Sequence, residues 1–197
     1  MRIFHLILAA AIALTAPLSA AAPPSSSGRT SNALKLVNFD KYADDNAALP
    51  PLKKGEKRVV FLGSSITEGW KSERPEFFSE NGYICRGISG QSTYALLLRF
   101  RADALDINPS VVVIGAGEID IAAGDASYSE DRTMANIVSM CELARLHDVK
   151  VVLSAVLPAE GYYWNQGATD VPDKIESLNR RMTITLRWCI PETAPLP

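Results

Sequence analysis

Four short apolar runs recur along the chain, at Arg58 to Leu62, Tyr83 to Arg86, Ser110 to Ile114 and Val149 to Leu157. The first, third and fourth are rich in β-branched residues and apolar on consecutive positions, the pattern of strands buried on both faces. Between them the period becomes helical. A short helix is predicted after Ser65, followed by a loop holding Pro75, Phe77 and Phe78. "TYALLLRFRADAL" predicts a helix capped by Ser92 or Thr93. Residues Ser127 to Leu146 predict a strong helix with Met134, Ile137, Val138, Cys141 and Ala144 on one face. Pro172 to Arg187 contains a further helix, and Leu34 to Ala48 a short one ended by Pro50-Pro51. Strands alternating with helices imply βαβ crossovers and a parallel sheet covered on both faces. There is no internal repeat.

The chain's start adds a targeting segment. Met1-Arg2 is followed by "IFHLILAAAIALTAPLSAAAPP", an apolar run closing on small residues, which reads as a secretory signal over residues 1–21. The expected location is therefore secreted or periplasmic, with no membrane attachment once the signal is cleaved. No cysteine stands at the cleavage zone to take a lipid. Residues 22–56 read as a leader with a short helix, 57–182 as the main domain, and 183–197 as an aberrant tail that shows no period and carries three prolines. A doubly wound sheet would close with another strand and helix, so the last strand and helix are expected to be missing, through truncation or a frameshift. Back-translating from Thr183 with a two-base slide can read Tyr-Tyr-Ser-Ala-Met-Val, a strand-like run.

Composition narrows the chemistry. With 47% hydrophobic and 21% charged residues and a net charge of -2, the chain is globular, and neither nucleic acid nor an anionic membrane is an expected partner. Cys85, Cys141 and Cys189 form no CxxC and no metal-ligand spacing, and the two histidines are His5, inside the signal, and His147. No metal or other cofactor is expected.

Ligands of an open parallel sheet bind beyond the carboxyl ends of its strands. Three glycine-rich turns follow the first three runs there: Gly63-Ser64-Ser65-Ile66-Thr67, Gly87-Ile88-Ser89-Gly90-Gln91-Ser92 and Gly115-Ala116-Gly117-Glu118-Ile119-Asp120. A serine opening a helix can be a cap or a nucleophile. The dinucleotide fingerprint fails at Asp120, where a third glycine is needed, and no Gly-Lys-Ser/Thr or G-x-S-x-G pattern is present.

"FLGSSITEGW", "RGISGQST" and "GAGEIDIA" together resemble the first three blocks of the SGNH (GDSL-type) esterases and lipases, in order and spacing, over about Lys57 to Arg181. The resemblance is nearest to secreted bacterial members linked to deacetylating sugars. It implies a three-layer α/β/α sandwich of flavodoxin-like type, with a parallel sheet in the strand order 2-1-3-4. It also implies Ser65 as nucleophile, Gly90 as an oxyanion-hole donor, and ester hydrolysis through an acyl-enzyme, with a small-molecule or carbohydrate ester as substrate. Tyr162, Tyr163 and Trp164, in a loop after the fourth strand, are candidates for a sugar-stacking platform.

Three positions depart from the family pattern. Ser64 replaces an aspartate, and Ile119 occupies the place of the asparagine whose amide is the third oxyanion donor. Loss of such a donor costs on the order of 10²–10³ in rate. If Glu118 slipped into that slot, its carboxylate would repel an oxyanion, while Asp120 matches the family's loop-ordering aspartate. The final Asp-x-x-His block, which supplies the general base, has no counterpart in the sequence. His147 is expected at the opposite, amino edge of the sheet. The chain is therefore expected to be an esterase by descent, inactive as it stands; the other reading is a non-catalytic carbohydrate- or ester-binding protein on the same fold.

Overall fold

Apolar strands paired in parallel form the centre of the molecule, seen in a computed structural model that describes residues 36–189, with side chains to residue 185. The expected signal, residues 22–35 of the leader and residues 190–197 of the tail lie outside the described residues. The strands are β1 (Val59–Gly63), β2 (Ile84–Gly87), β3 (Val111–Gly115) and β4 (Lys150–Ser154), in the order β2-β1-β3-β4 with every pairing parallel. This is the expected order. Each of the first three strands begins and ends one residue later than its apolar run, because the terminal glycine still pairs.

The helices are α1 (Ala43–Ala47, entered through a 3-10 turn at Phe39–Tyr42), α2 (Ser65–Glu73), α3 (Pro75–Glu80), α4 (Thr93–Asp103), α5 (Glu118–Ala122), α6 (Glu130–Leu146) and α7 (Val171–Cys189). Two of them differ from the sequence reading. Pro75 to Phe78 form a helix rather than a loop, since Pro75 occupies the first turn, where its missing N–H costs nothing. The third glycine turn also winds into the short helix α5.

Alternation along the strands sorts the core. Val60, Leu62, Val112, Ile114 and Leu153 face α4, α6 and α7, where Leu96, Phe100, Ile137, Met140 and Leu178 complete the larger cluster. Phe61 and Cys85 face the other way, onto α2 and α3, with Phe78 fully buried among them. There Trp70 stacks on Phe77 with ring centroids 4.7 Å apart, and Phe61 meets both rings edge-on. Beside α2 this second face opens into an apolar cleft of about 400 Å³, lined by Phe61, Ile66, Trp70, Val113 and Leu157. Val152, on the edge strand next to it, stays 49% exposed.

One charged side chain ties the strand ends together. Arg99 of α4 is 0% exposed, and its guanidinium spends four N–H groups on four partners. They are Gly63 O at 3.1 Å, Arg86 O at 2.8 Å, Gln91 Oε1 at 2.5 Å and Asp103 Oδ2 at 2.9 Å. Burial pulls its pKa down while Asp103 holds it up, and a guanidinium remains charged. Replacing Arg99 with alanine leaves Asp103 without its cation in the core and takes a donor from each of two strand carbonyls. Urea unfolding of Arg99→Ala should show a loss of roughly 3–5 kcal/mol, the usual cost of breaking a buried pair. Arg99→Lys should recover little, because a point ammonium cannot reproduce the planar fork. A loss below about 1 kcal/mol, the range of a surface pair, would contradict this role.

Candidate active site

Gly63, Gly87 and Gly115 lie in register across β2, β1 and β3, followed by Ser154 on β4. They form a row without side chains at the carboxyl edge. This lets α2 begin directly on top of the sheet. A Cβ at Gly63 would overlap the Thr67 hydroxyl, and one at Gly87 would overlap the backbone of Glu68. Ser64 precedes the helix and makes no side-chain cap bond, so the N-cap explanation of the serine pair fails for the residue in the cap position. Ser65 is the first residue of α2, half-buried, over the helix's positive end.

The β2–α4 loop runs along the same rim. Gly90 sits in it with φ +77° and nothing within 4 Å of where a Cβ would stand. The neighbouring Ser89 N–H is bound by Glu68 Oε2 of α2 at 2.6 Å. Gln91 is buried, donating through Nε2 to Leu36 O and Val37 O at 3.0 and 2.7 Å.

At the end of β3, Ile119 is half-buried in the first turn of α5. Its neighbours carry the charge. Asp120 accepts bonds from Thr93 N–H at 2.9 Å and Thr93 Oγ1 at 2.5 Å, so it caps α4 from a different segment. Glu118 accepts a hydrogen bond from Ser64 Oγ, and Ser64 is only 1% exposed. A Ser–Glu pair thus stands beside Ser65. Burial raises the Glu118 carboxyl above its usual range, the Ser64 hydroxyl opposes this, and the Asp120 charge adds to it. Burial likewise raises Asp120 against the hydrogen bonds from Thr93 and Thr133.

The loop after β4 brings aromatic residues towards this end. Asn165 Nδ2 anchors it to Ala122 O at 2.9 Å. Tyr162 lies within electrostatic reach of Glu118; burial, and then that charge, push its phenol up. Tyr163 and Trp164 pack edge to face at 4.9 Å and remain 87% and 58% exposed. His147 caps the other end of the sheet: it ends α6, just before β4, with Nε2 3.3 Å from Arg101 Nη1. Among the described residues, no group of three or more His, Cys, Asp and Glu side chains could hold a metal ion.

A parallel sheet in this order, with a serine opening the first crossover helix and two glycine turns on the same rim, defines an SGNH-type hydrolase fold. The model of the GDSL-like Lipase/Acylhydrolase family matches residues 61–187, and the chain belongs to that family. A GDSL-like lipase from Bacteroides thetaiotaomicron is 49% identical, with a TM-score of 0.75 over 78% of this chain and 75% of its own. A second solved structure, from Bacteroides fragilis, is 50% identical with a TM-score of 0.75, covering 77% and 73% of the two chains. An uncharacterised lipoprotein of Bacillus subtilis, YqeF, is 36% identical over 53% of this chain and 50% of its own. The chain therefore spans about half the length of that curated relative.

Sequence reasoning missed Arg99, Glu68 and the Ser64–Glu118 contact. Each joins residues far apart in the chain. The raised Glu118 carboxyl has a thermodynamic consequence. The folded state holds that proton more tightly than the unfolded state, so stability is lost as pH rises through the carboxylate range. Glu118→Gln should therefore melt above the parent at pH 7, with the difference closing below about pH 4, where both states keep the proton. A pH-independent difference would show that ionisation of Glu118 is not the cause.

Proposed function

We propose that residues 57–182 form the main domain of an exported serine esterase that hydrolyses acyl or acetyl esters, with carbohydrate esters as the substrate class. Ser65 attacks the ester carbonyl, and the alcohol leaves an acyl-enzyme that water then hydrolyses. The N–H groups of Ser65 and Gly90 receive the oxyanion. The observation that carries this reading is Ser65 in the first turn of α2, on the same rim as a glycine loop hydrogen-bonded to that helix. Membership of the acylhydrolase family supports the reaction class.

Export is supported by the apolar start of the chain and by the lipoprotein among its relatives. The exposed Tyr163–Trp164 pair supports a sugar, since aromatic faces outside the core suit the apolar faces of a pyranose. The cleft beside α2 is lined by Ile66 and Thr67, next in sequence to Ser65, and gives room for an acyl group.

Two features argue that these 197 residues are inactive by themselves. Ile119 offers no side-chain donor, and the histidine outside the expected signal, His147, is at the opposite end of the sheet. We assign the general base to an Asp-x-x-His segment of the family type, which has no counterpart among these residues. The same two features favour the second reading, a non-catalytic ester- or carbohydrate-binding protein.

Hydrolysis of p-nitrophenyl acetate separates the two. Residues 22–197 should run near background. Replacing residues 183–197 by a family-type segment carrying Asp-x-x-His should create activity that Ser65→Ala abolishes. Adding Ile119→Asn should raise it further, by roughly 10²-fold if the new amide reaches the oxyanion. Ser65-dependent hydrolysis by the unaltered chain would overturn the assignment of the base. A completed chain that stays inactive would favour the binding protein.

A further inference from the structure

Glu68 stands one helical turn beyond Ser65 on α2 and reaches across to the loop that carries Gly90. Its Oε2 accepts the Ser89 N–H at 2.6 Å, and its Oε1 is ion-paired with Lys41, from the 3-10 turn before α1. The same N-terminal stretch holds the loop on either side of Gly90. Tyr42 Oη donates to Gly87 O at 2.5 Å, and Gln91 Nε2 donates to Leu36 O and Val37 O. Gly90 itself is exposed and left-handed, with open space where a Cβ would stand, in a turn closed by the Gln91 N–H on Ile88 O at 3.3 Å, so the direction of its N–H follows from what holds that turn. That direction has to be imposed by neighbours.

We propose that Glu68 is a positioning residue: Lys41 steadies one carboxylate oxygen while the other fixes the Ser89 amide, and so sets the Gly90 N–H against Ser65. The inference rests on the reading of Ser65 as nucleophile and Gly90 as oxyanion donor. Partial burial disfavours the Glu68 charge, but the Lys41 ammonium and the Ser89 amide outweigh it and hold the carboxyl below its usual range. The bond to Ser89 is therefore charge-assisted at neutral pH. Oxyanion stabilisation depends on donors held in place before the charge develops, and a displacement of about 1 Å can cost on the order of 10²-fold.

Two measurements test this together. In the 197-residue chain, NMR hydrogen exchange should show the Ser89 amide exchanging at least about tenfold faster in Glu68→Ala, as expected when a charged hydrogen bond is lost. The β1 amides of Val60 to Leu62 should be unchanged. In the chain completed with Asp-x-x-His, Glu68→Ala should lower kcat by about ten- to a hundredfold. KM should stay within about twofold, because the lost interaction belongs to the transition state. Glu68→Gln keeps an acceptor oxygen and should recover part of the rate. Unchanged Ser89 exchange or unchanged kcat in Glu68→Ala overturns the inference, and so does a parallel loss of protection in β1, which would mark a purely structural role. If the completed parent shows no Ser65-dependent turnover, the esterase reading falls and this inference falls with it. If the parent turns over and Glu68→Ala equals it, the inference alone is wrong.

Discussion

A guanidinium with no solvent contact has to find its hydrogen bonds inside the protein, and Arg99 finds them at the place where the site is assembled. Its partners are the last carbonyl of β1, the Arg86 carbonyl near the end of β2, the side chain of Gln91 in the following loop, and Asp103 one turn along its own helix. Leaving any of these unmet in a dry core costs more than the bond itself contributes. The end of β1, where α2 begins, and the loop that carries Gly90 are thereby referred to one rigid point. Gln91 extends the network to the N-terminal stretch through Leu36 and Val37, and Glu68 extends it from α2 to Ser89 and Lys41.

This frame accounts for the side-chain-free row at the carboxyl edge. Gly63 and Gly87 admit the first turn of α2 onto the strand ends, which sets Ser65 at the rim. The polar groups around it are unevenly matched to an ester site. A helix N-terminus and two backbone amides favour developing negative charge, while Glu118 beside Ser64 opposes it wherever it is ionised. Burial, which favours the neutral acid, reduces that conflict. Ile119 contributes neither charge nor donor.

The parallel sheet was legible because a strand buried on both faces leaves an unbroken apolar run, while its order followed from the resemblance to the SGNH fold. Ser65, Gly90 and Ile119 came from the resemblance to the SGNH blocks, which falls on the three glycine turns that follow strands. The helix at Pro75 to Glu80 was not, since six residues are too few to show a period and proline reads as a breaker. Arg99 and Arg101 looked alike in "LLLRFRADAL", yet Arg99 is buried and Arg101 exposed. The distinction depends on carbonyls of two strands that no local pattern reveals. Glu68 has the same difficulty: its partners are 27 residues before it and 21 after it.

The central proposal is that Ser65 is a nucleophile in a site that lacks a base within reach and has Ile119 where a side-chain donor would stand. Imidazole supplied in solution can stand in for that base. After incubation of the 197-residue chain with p-nitrophenyl acetate and imidazole, peptide mass spectrometry should find the acetyl group on Ser65. The modification should depend on the fold and disappear when the protein is denatured beforehand. Acetylation confined to exposed lysines, with Ser65 unmodified in the folded protein, would contradict the account.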